Sequence, residues 1–201
     1  MSAARERVLE AAWGLLTERG ASAMSMDDVI EAAGVAKQTL YNHFPTKDRL
    51  ISATLAVGAE RFQRALVEAV RAEADEPAER LVAAFGVAWR MMAAGGFPGC
   101  TFVGAAVEDR GEGGEASELV RLHKAAVRGL FEGWAEAAGL GEPGVVAARL
   151  MVLLNGALMT SLIERDGAAF EHAAAMARGV VDDARSSRET GGRGGRRARR
   201  R

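Results

Sequence analysis

The sequence predicts an all-α protein, a three-helix N-terminal head followed by a larger helical body. Three observations carry this. Apolar residues recur at helical spacing in almost every segment. No segment alternates with period two over the length of a strand. The breaks between segments use the residues that start and stop helices: serine, threonine and proline at starts, glycine at ends. With 201 residues the chain can build one core, or a small head and a separate body.

Taken in order, Val8, Ala12, Leu15 and Leu16 share the face of a first helix, which Gly20 stops. Ser25-Met26-Asp27-Asp28 resembles a capping box and starts a short second helix ending near Ala33-Gly34. A third helix runs from Lys37 to His43. Pro45 biases Phe44 out of helical geometry and ends it. Thr46 caps a long fourth helix from about Asp48 to Glu73, striped by Leu50, Ile51, Leu55, Gly58, Phe62 and Leu66. Pro77 suits the first turn of the fifth, where Leu81, Phe85, Ala88, Trp89 and Met92 face inward. A short helix is expected over Thr101 to Asp109, and a longer one from Ser117 with Leu119, Leu122, Ala126, Leu130 and Trp134 inward. The last two cover Pro143 to Glu164 and Ala168 to Ser186. Residues 187–201, rich in glycine and arginine, have almost nothing to bury and are expected to be disordered. The domains read as 1–47, 48–186 and that tail.

The net charge of −1 is uneven. Seven arginines and one acid follow Ser186, so residues 1–185 carry 19 basic against 26 acidic side chains. A body this acidic argues against a protein that coats DNA without regard to sequence. The single cysteine, Cys100, leaves no intramolecular disulfide to form. The N-terminal residues lack the pattern of a signal peptide, and the apolar run from Val145 to Ile163 is interrupted by Arg149 and Asn155. The expectation is a cytoplasmic protein with no membrane partner.

The head carries the chemistry. Three short helices, the last two joined by Ala33-Gly34-Val35, match a helix-turn-helix. Leu40 and Phe44 are four apart on the third helix and point inward together. Lys37, Gln38, Thr39, Tyr41, Asn42 and His43 are left outward, with no acid between Gly34 and Thr46. Glutamine and asparagine match adenine edges, threonine a thymine methyl, and tyrosine and lysine phosphates. Lys47, in the first turn of the fourth helix, adds its ammonium to free backbone N–H groups. The same face also suits a solvated side of a small bundle.

Residues 5–51 resemble the DNA-binding head of the TetR family of transcriptional regulators. The matching residues are Ala32-Ala33-Gly34-Val35 and Thr39 through Leu50. The body is similar in layout only. The resemblance implies a homodimer whose two heads read a palindromic operator on double-stranded DNA, with repression as the usual mode. It implies that Thr39, Tyr41 and His43 face the groove and its phosphates, that Lys47 grips the backbone, and that Lys37 and Gln38 touch bases or phosphates. Ala36 departs from the family, which commonly has a small hydroxyl residue there. The last two helices form the expected dimer interface, through Val152, Gly156, Ala157, Met159, Thr160, Phe170, Ala173, Ala174, Ala177, Val180 and Val181.

A small-molecule effector is expected in the body. Its candidate contacts are Trp89, Met92, Phe97, Phe102, Val103, Val107, Leu119, His123, Trp134, Asn155 and Met159, an apolar set with few polar groups. The same pattern suits plain core. Cys100 is a packing residue or a thiol sensor. Three scattered histidines, one cysteine and no phosphate-cradling glycine motif give no catalytic or metal constellation, so no enzyme and no cofactor are expected. A sequence-blind DNA protein and a small helical enzyme stand as the rival readings.

Overall fold

The structure, a computed structural model, describes residues 2–94, 101–108 and 114–198; the side chains of 103, 106–108 and 188–198 fall outside that description. Among the described residues it is all helix, without a strand. The elements are α1 (Ala3–Ala23), α2 (Met26–Ala33), α3 (Lys37–His43), α4 (Lys47–Glu73), α5 (Pro77–Ala94), α6 (Thr101–Glu108), α7 (Glu115–Ala137), α8 (Pro143–Glu164) and α9 (Ala168–Ala198). α1 kinks at Gly20, where the backbone turns to φ 80°. α9 runs past Ser186, where the sequence reading ends it. Glycines 191, 192, 194 and 195 each disfavour helix by about 1 kcal/mol against alanine, whereas the arginines among them are good helix formers.

The chain packs into two units, residues 1–64 with 98–124, and 65–97 with 125–201. This differs from a division in chain order. The first unit holds the three head helices, the start of α4, α6 and the start of α7. Its core joins Val8, Leu15 and Leu16 of α1, Val29 of α2, Leu40, Phe44, and Leu50 and Leu55 of α4 with Phe102 and Ala105 of α6 and Val120 of α7. At Gly58 only glycine fits, because a Cβ there would overlap the Trp13 ring. That ring sits 6.0 Å from the Phe102 ring.

In the second unit α9 packs on both α8 and α5. Phe170, Ala173, Ala177 and Val181 are buried, as are Leu81, Phe85 and Ala88 of α5 and Leu150, Leu154 and Ala157 of α8. Phe85 and Phe131 stack at 6.2 Å. Arg178 of α9 grips Glu79 of α5 with two hydrogen bonds of 2.9 and 3.0 Å. α8 is long and apolar enough to cross a membrane by length and composition alone, and 44% of that window is buried inside the protein. Its other side is exposed and carries Val145, Val152, Met159, Leu162 and Ile163 along with Arg149 and Asn155.

Candidate nucleic-acid interface

The local sequence builds the head in a definite way. Ser25 caps α2 reciprocally: its Oγ accepts from the Asp28 N–H at 3.1 Å, and the Asp28 carboxylate accepts from the Ser25 N–H at 3.0 Å. The two bonds satisfy N–H groups that a helix start leaves open. The Ser25 hydroxyl also donates to the Asp28 carboxylate at 2.6 Å, and this bond, then the one from the Ser25 N–H, holds that carboxyl below its usual range. Gly34 then turns the chain at φ 60°, in the left-handed region where glycine escapes the Cβ penalty. α3 begins at Ala36 with no side-chain cap. Leu40 is fully buried and Phe44 nearly so. Those two anchors fix the rotation of α3 and thereby which side chains face out.

The outward side chains are exposed and already ordered by mutual contacts. The Lys37 ammonium lies 3.3 Å from the Asp27 carboxylate and 6.0 Å from the centre of the Tyr41 ring. The Gln38 amide donates to the Asn42 amide oxygen at 2.9 Å. His43 approaches the Ser2 hydroxyl, with Nε2 at 3.3 Å from Oγ. Tyr41 is 37% exposed, whereas Thr39 is half-buried. Thr46 caps α4 by accepting from the Arg49 N–H at 3.2 Å. Lys47 donates to the Ser22 carbonyl at 3.1 Å, so its ammonium is tethered beside the α4 start.

The sequence reading missed Asp27, Ser2 and Ser22 as partners of these groups. Only the Asp27–Lys37 pair had a signal, an acid and a base flanking the turn. A cleft of about 540 Å³ opens beside the α4 start, lined in part by Ser22, Lys47, Arg49, Ser52 and Glu115. Arg49 and Glu115 pair across it at 3.4 Å. Among the described residues no group of three or more His, Cys, Asp or Glu side chains comes together in a way that could hold a metal.

The effector candidates divide between the units. In the first, the buried His123 ring stacks on Phe102 at 4.1 Å and meets Phe62 edge-on at 5.6 Å. Among the described residues its Nδ1 has no hydrogen-bond partner. Burial, and then the neighbouring Lys124 charge, push the His123 pKa down to about 4. Leu119 packs against the same core. Val103 and Val107 lie on α6 with side chains outside the description. In the second unit Trp89 sits 5.6 Å from the Phe170 ring and Trp134 6.0 Å from Phe131. Met92 is half-buried, and Phe97 and Cys100 lie outside the described residues. Asn155 and Met159 fall on the exposed stripe of α8 with Val152. Helical spacing of three and four puts all three on one side of α8.

Comparison with known proteins agrees with this geometry. The family model for bacterial regulatory proteins of the tetR family matches residues 8–54. An uncharacterised HTH-type transcriptional regulator of Mycobacterium tuberculosis (strain H37Rv) is 33% identical over 89 residues, 44% of this chain. The match also spans only 44% of that relative. The structure of a TetR-type regulator from Streptomyces avermitilis superposes with a TM-score of 0.76 at 26% identity, covering 91% of this chain and 98% of that one. A TetR-family regulator from Streptomyces coelicolor gives a TM-score of 0.80 at 23% identity, over 90% and 95% of the two chains, a likeness of fold. The head thus matches the tetR family model, and over nine-tenths of its length the chain is similar in fold to a TetR-type regulator.

Proposed function

We propose that the protein is a sequence-specific transcriptional regulator that binds a palindromic operator as a homodimer in the cytoplasm and is released from it by a small molecule. One observation carries the reading: α3 presents Lys37, Gln38, Tyr41, Asn42 and His43 to solvent while Leu40 and Phe44 hold it from behind. A single helix of this length touches few base pairs. Two, about 34–36 Å apart, read successive major grooves. The exposed apolar stripe of α8, with Val152 and Ile163 at 72% and 78% exposure, supports the pairing. Met176 of α9 is exposed as well. Together they offer a second copy a self-complementary apolar surface.

The effector reading is supported by the aromatic surroundings of His123 in one unit and of Trp89 in the other. α4 contributes residues to both units, as does α7. A ligand that favours one arrangement of these helices shifts the operator-bound fraction. A hundredfold loss of affinity needs about 2.7 kcal/mol of preference between states. The arginine-rich end adds sequence-independent, salt-dependent attraction to phosphate.

Selection of bound duplexes from a random pool, followed by footprinting, tests the reading. It expects a palindrome protected on two successive turns, bound by the parent and about tenfold less tightly by Tyr41→Ala and Lys47→Ala proteins of unchanged fold. Equal affinity of those variants for the selected site, or uniform coverage of any duplex, overturns it.

A further inference from the structure

We propose that Gln38 and Asn42 act as one composite reader of a single adenine in each operator half-site. This rests on the sequence-specific reading above and goes further, because it assigns a base.

The argument starts from what the hydrogen bond between them leaves over. The Gln38 amide nitrogen donates to the Asn42 amide oxygen at 2.9 Å. The Gln38 oxygen therefore remains an open acceptor and the Asn42 nitrogen an open donor. The two residues are four apart and both exposed, so these open groups lie on one face of α3. In the major groove adenine presents an N6 donor beside an N7 acceptor. The pair supplies the complement: the Gln38 oxygen accepts from N6, and the Asn42 nitrogen donates to N7. Guanine presents two acceptors there, O6 and N7, and would set O6 against the Gln38 oxygen.

The neighbouring groups strengthen the assignment. Guanine is most often read by arginine or lysine. No arginine lies between Gly34 and Asp48, and Lys37 is engaged by Asp27 at 3.3 Å. The exposed hydrogen-bonding groups of mid-helix are thus neutral amides. A lone amide side chain rotates and offers its donor or its acceptor. Here the mutual bond selects one presentation before DNA arrives, and the buried Leu40 holds the rotation of α3. Less ordering remains to be done on binding, which favours discrimination between bases over bare affinity.

The competing explanation is a helix staple: pairs of this kind at spacing four stabilise a helix slightly without touching a ligand. The test uses the full chain and three variants, Gln38→Ala, Asn42→Ala and the double. Each is titrated against the selected duplex and against duplexes changed at one base pair in both half-sites. For the parent, replacing one particular adenine with guanine is expected to weaken binding about tenfold or more. In either single variant that penalty shrinks to about twofold, at that position alone, while penalties elsewhere persist. The double variant discriminates no worse than the singles, because breaking either half breaks the reader.

Guanine at the affected position, different positions for the two variants, or additive losses each overturn the proposal. So does a uniform loss at every position accompanied by a lower melting temperature, which is the staple alone. A parent that selects a palindrome indifferent to both residues sinks this inference and spares the regulator reading; a parent that selects no sequence sinks both.

Discussion

α3 and α8 each leave a whole side exposed, and the two sides are opposite in kind. α3 has seven residues, and its exposed side is amides, a lysine, a phenol and an imidazole. α8 has 22, and its exposed side includes Val145, Val152, Met159 and Ile163. A helix as short as α3 is not stable alone. It is held by the Leu40 and Phe44 anchors, which frees its outer face to be chosen for hydrogen bonding. α8 has buried residues in every turn of its inner side and so needs nothing from its outer side for its own fold. An apolar face that the fold does not require points to a partner that covers it. The first face suits a charged, hydrogen-bonding polymer and the second a second copy of the chain.

The largest expected effect comes from reversing the second face. Val152→Arg with Ile163→Glu leaves the inner side of α8 untouched. The protein is expected to sediment as a folded monomer. Its operator affinity falls about a thousandfold, roughly 4 kcal/mol, because the two heads no longer bind as one. A variant that remains dimeric and binds as the parent would remove the apolar stripe from the interface.

Next is the anchor under the polar face. Leu40→Ala empties a fully buried site and is expected to cost about 3 kcal/mol of unfolding free energy, within the 2–5 seen for such truncations. Urea titration measures it. Specific DNA binding is lost with the position of α3, while self-association persists. If Leu40→Ala left both intact, α3 would not depend on packing and the contrast with α8 would fail.

How far the sequence announced these features follows from the range of each interaction. Signals within a few residues were readable. Ser25 with Asp28, Gly34, Phe44 before Pro45, and Pro143 placed the head and the limits of α8, because capping and turn chemistry act between neighbours in the chain. Tertiary partners were not. Phe102 and Val120 belong to the same core as Val8 and Leu40, but an apolar stripe shows only that a face is buried, not against what. For the same reason the sequence alone makes Met159 a candidate for both a pocket and an interface, and the structure leaves it exposed on α8. The Lys47 bond to the Ser22 carbonyl had no signal at all, since a backbone oxygen carries no residue identity.

His123 gives a third, intermediate effect within the first unit. Its folded-state pKa is about 4, against an ordinary 6.5. Above pH 6.5 both folded and unfolded forms hold it neutral, and it imposes no pH dependence. Between 6.5 and 4 the unfolded chain takes up a proton that the folded one refuses, so stability falls as the pH drops. The loss amounts to about 3 kcal/mol by pH 4, where it levels off. His123→Leu is expected to flatten that part of the stability profile, and an unchanged slope would place the titrating group elsewhere. The slope is the readout, because the substitution also alters the packing on Phe102.

The smallest effect is the sharpest check on why α3 forms. Ala36 sits at the α3 start with φ −68° and ψ 145°, the extended geometry of a capping residue, yet it offers no side-chain bond. Ala36→Ser supplies an oxygen that can accept from a first-turn N–H. It is expected to raise stability by about 1 kcal/mol, read as a higher melting temperature, and to leave operator preference unchanged. That gain is smaller than the loss expected for Leu40→Ala because a cap closes one hydrogen bond, whereas the anchor fills a core site. If the two magnitudes came out reversed, α3 would be a helix held by its own ends, and its polar face would owe nothing to the residues packed behind it.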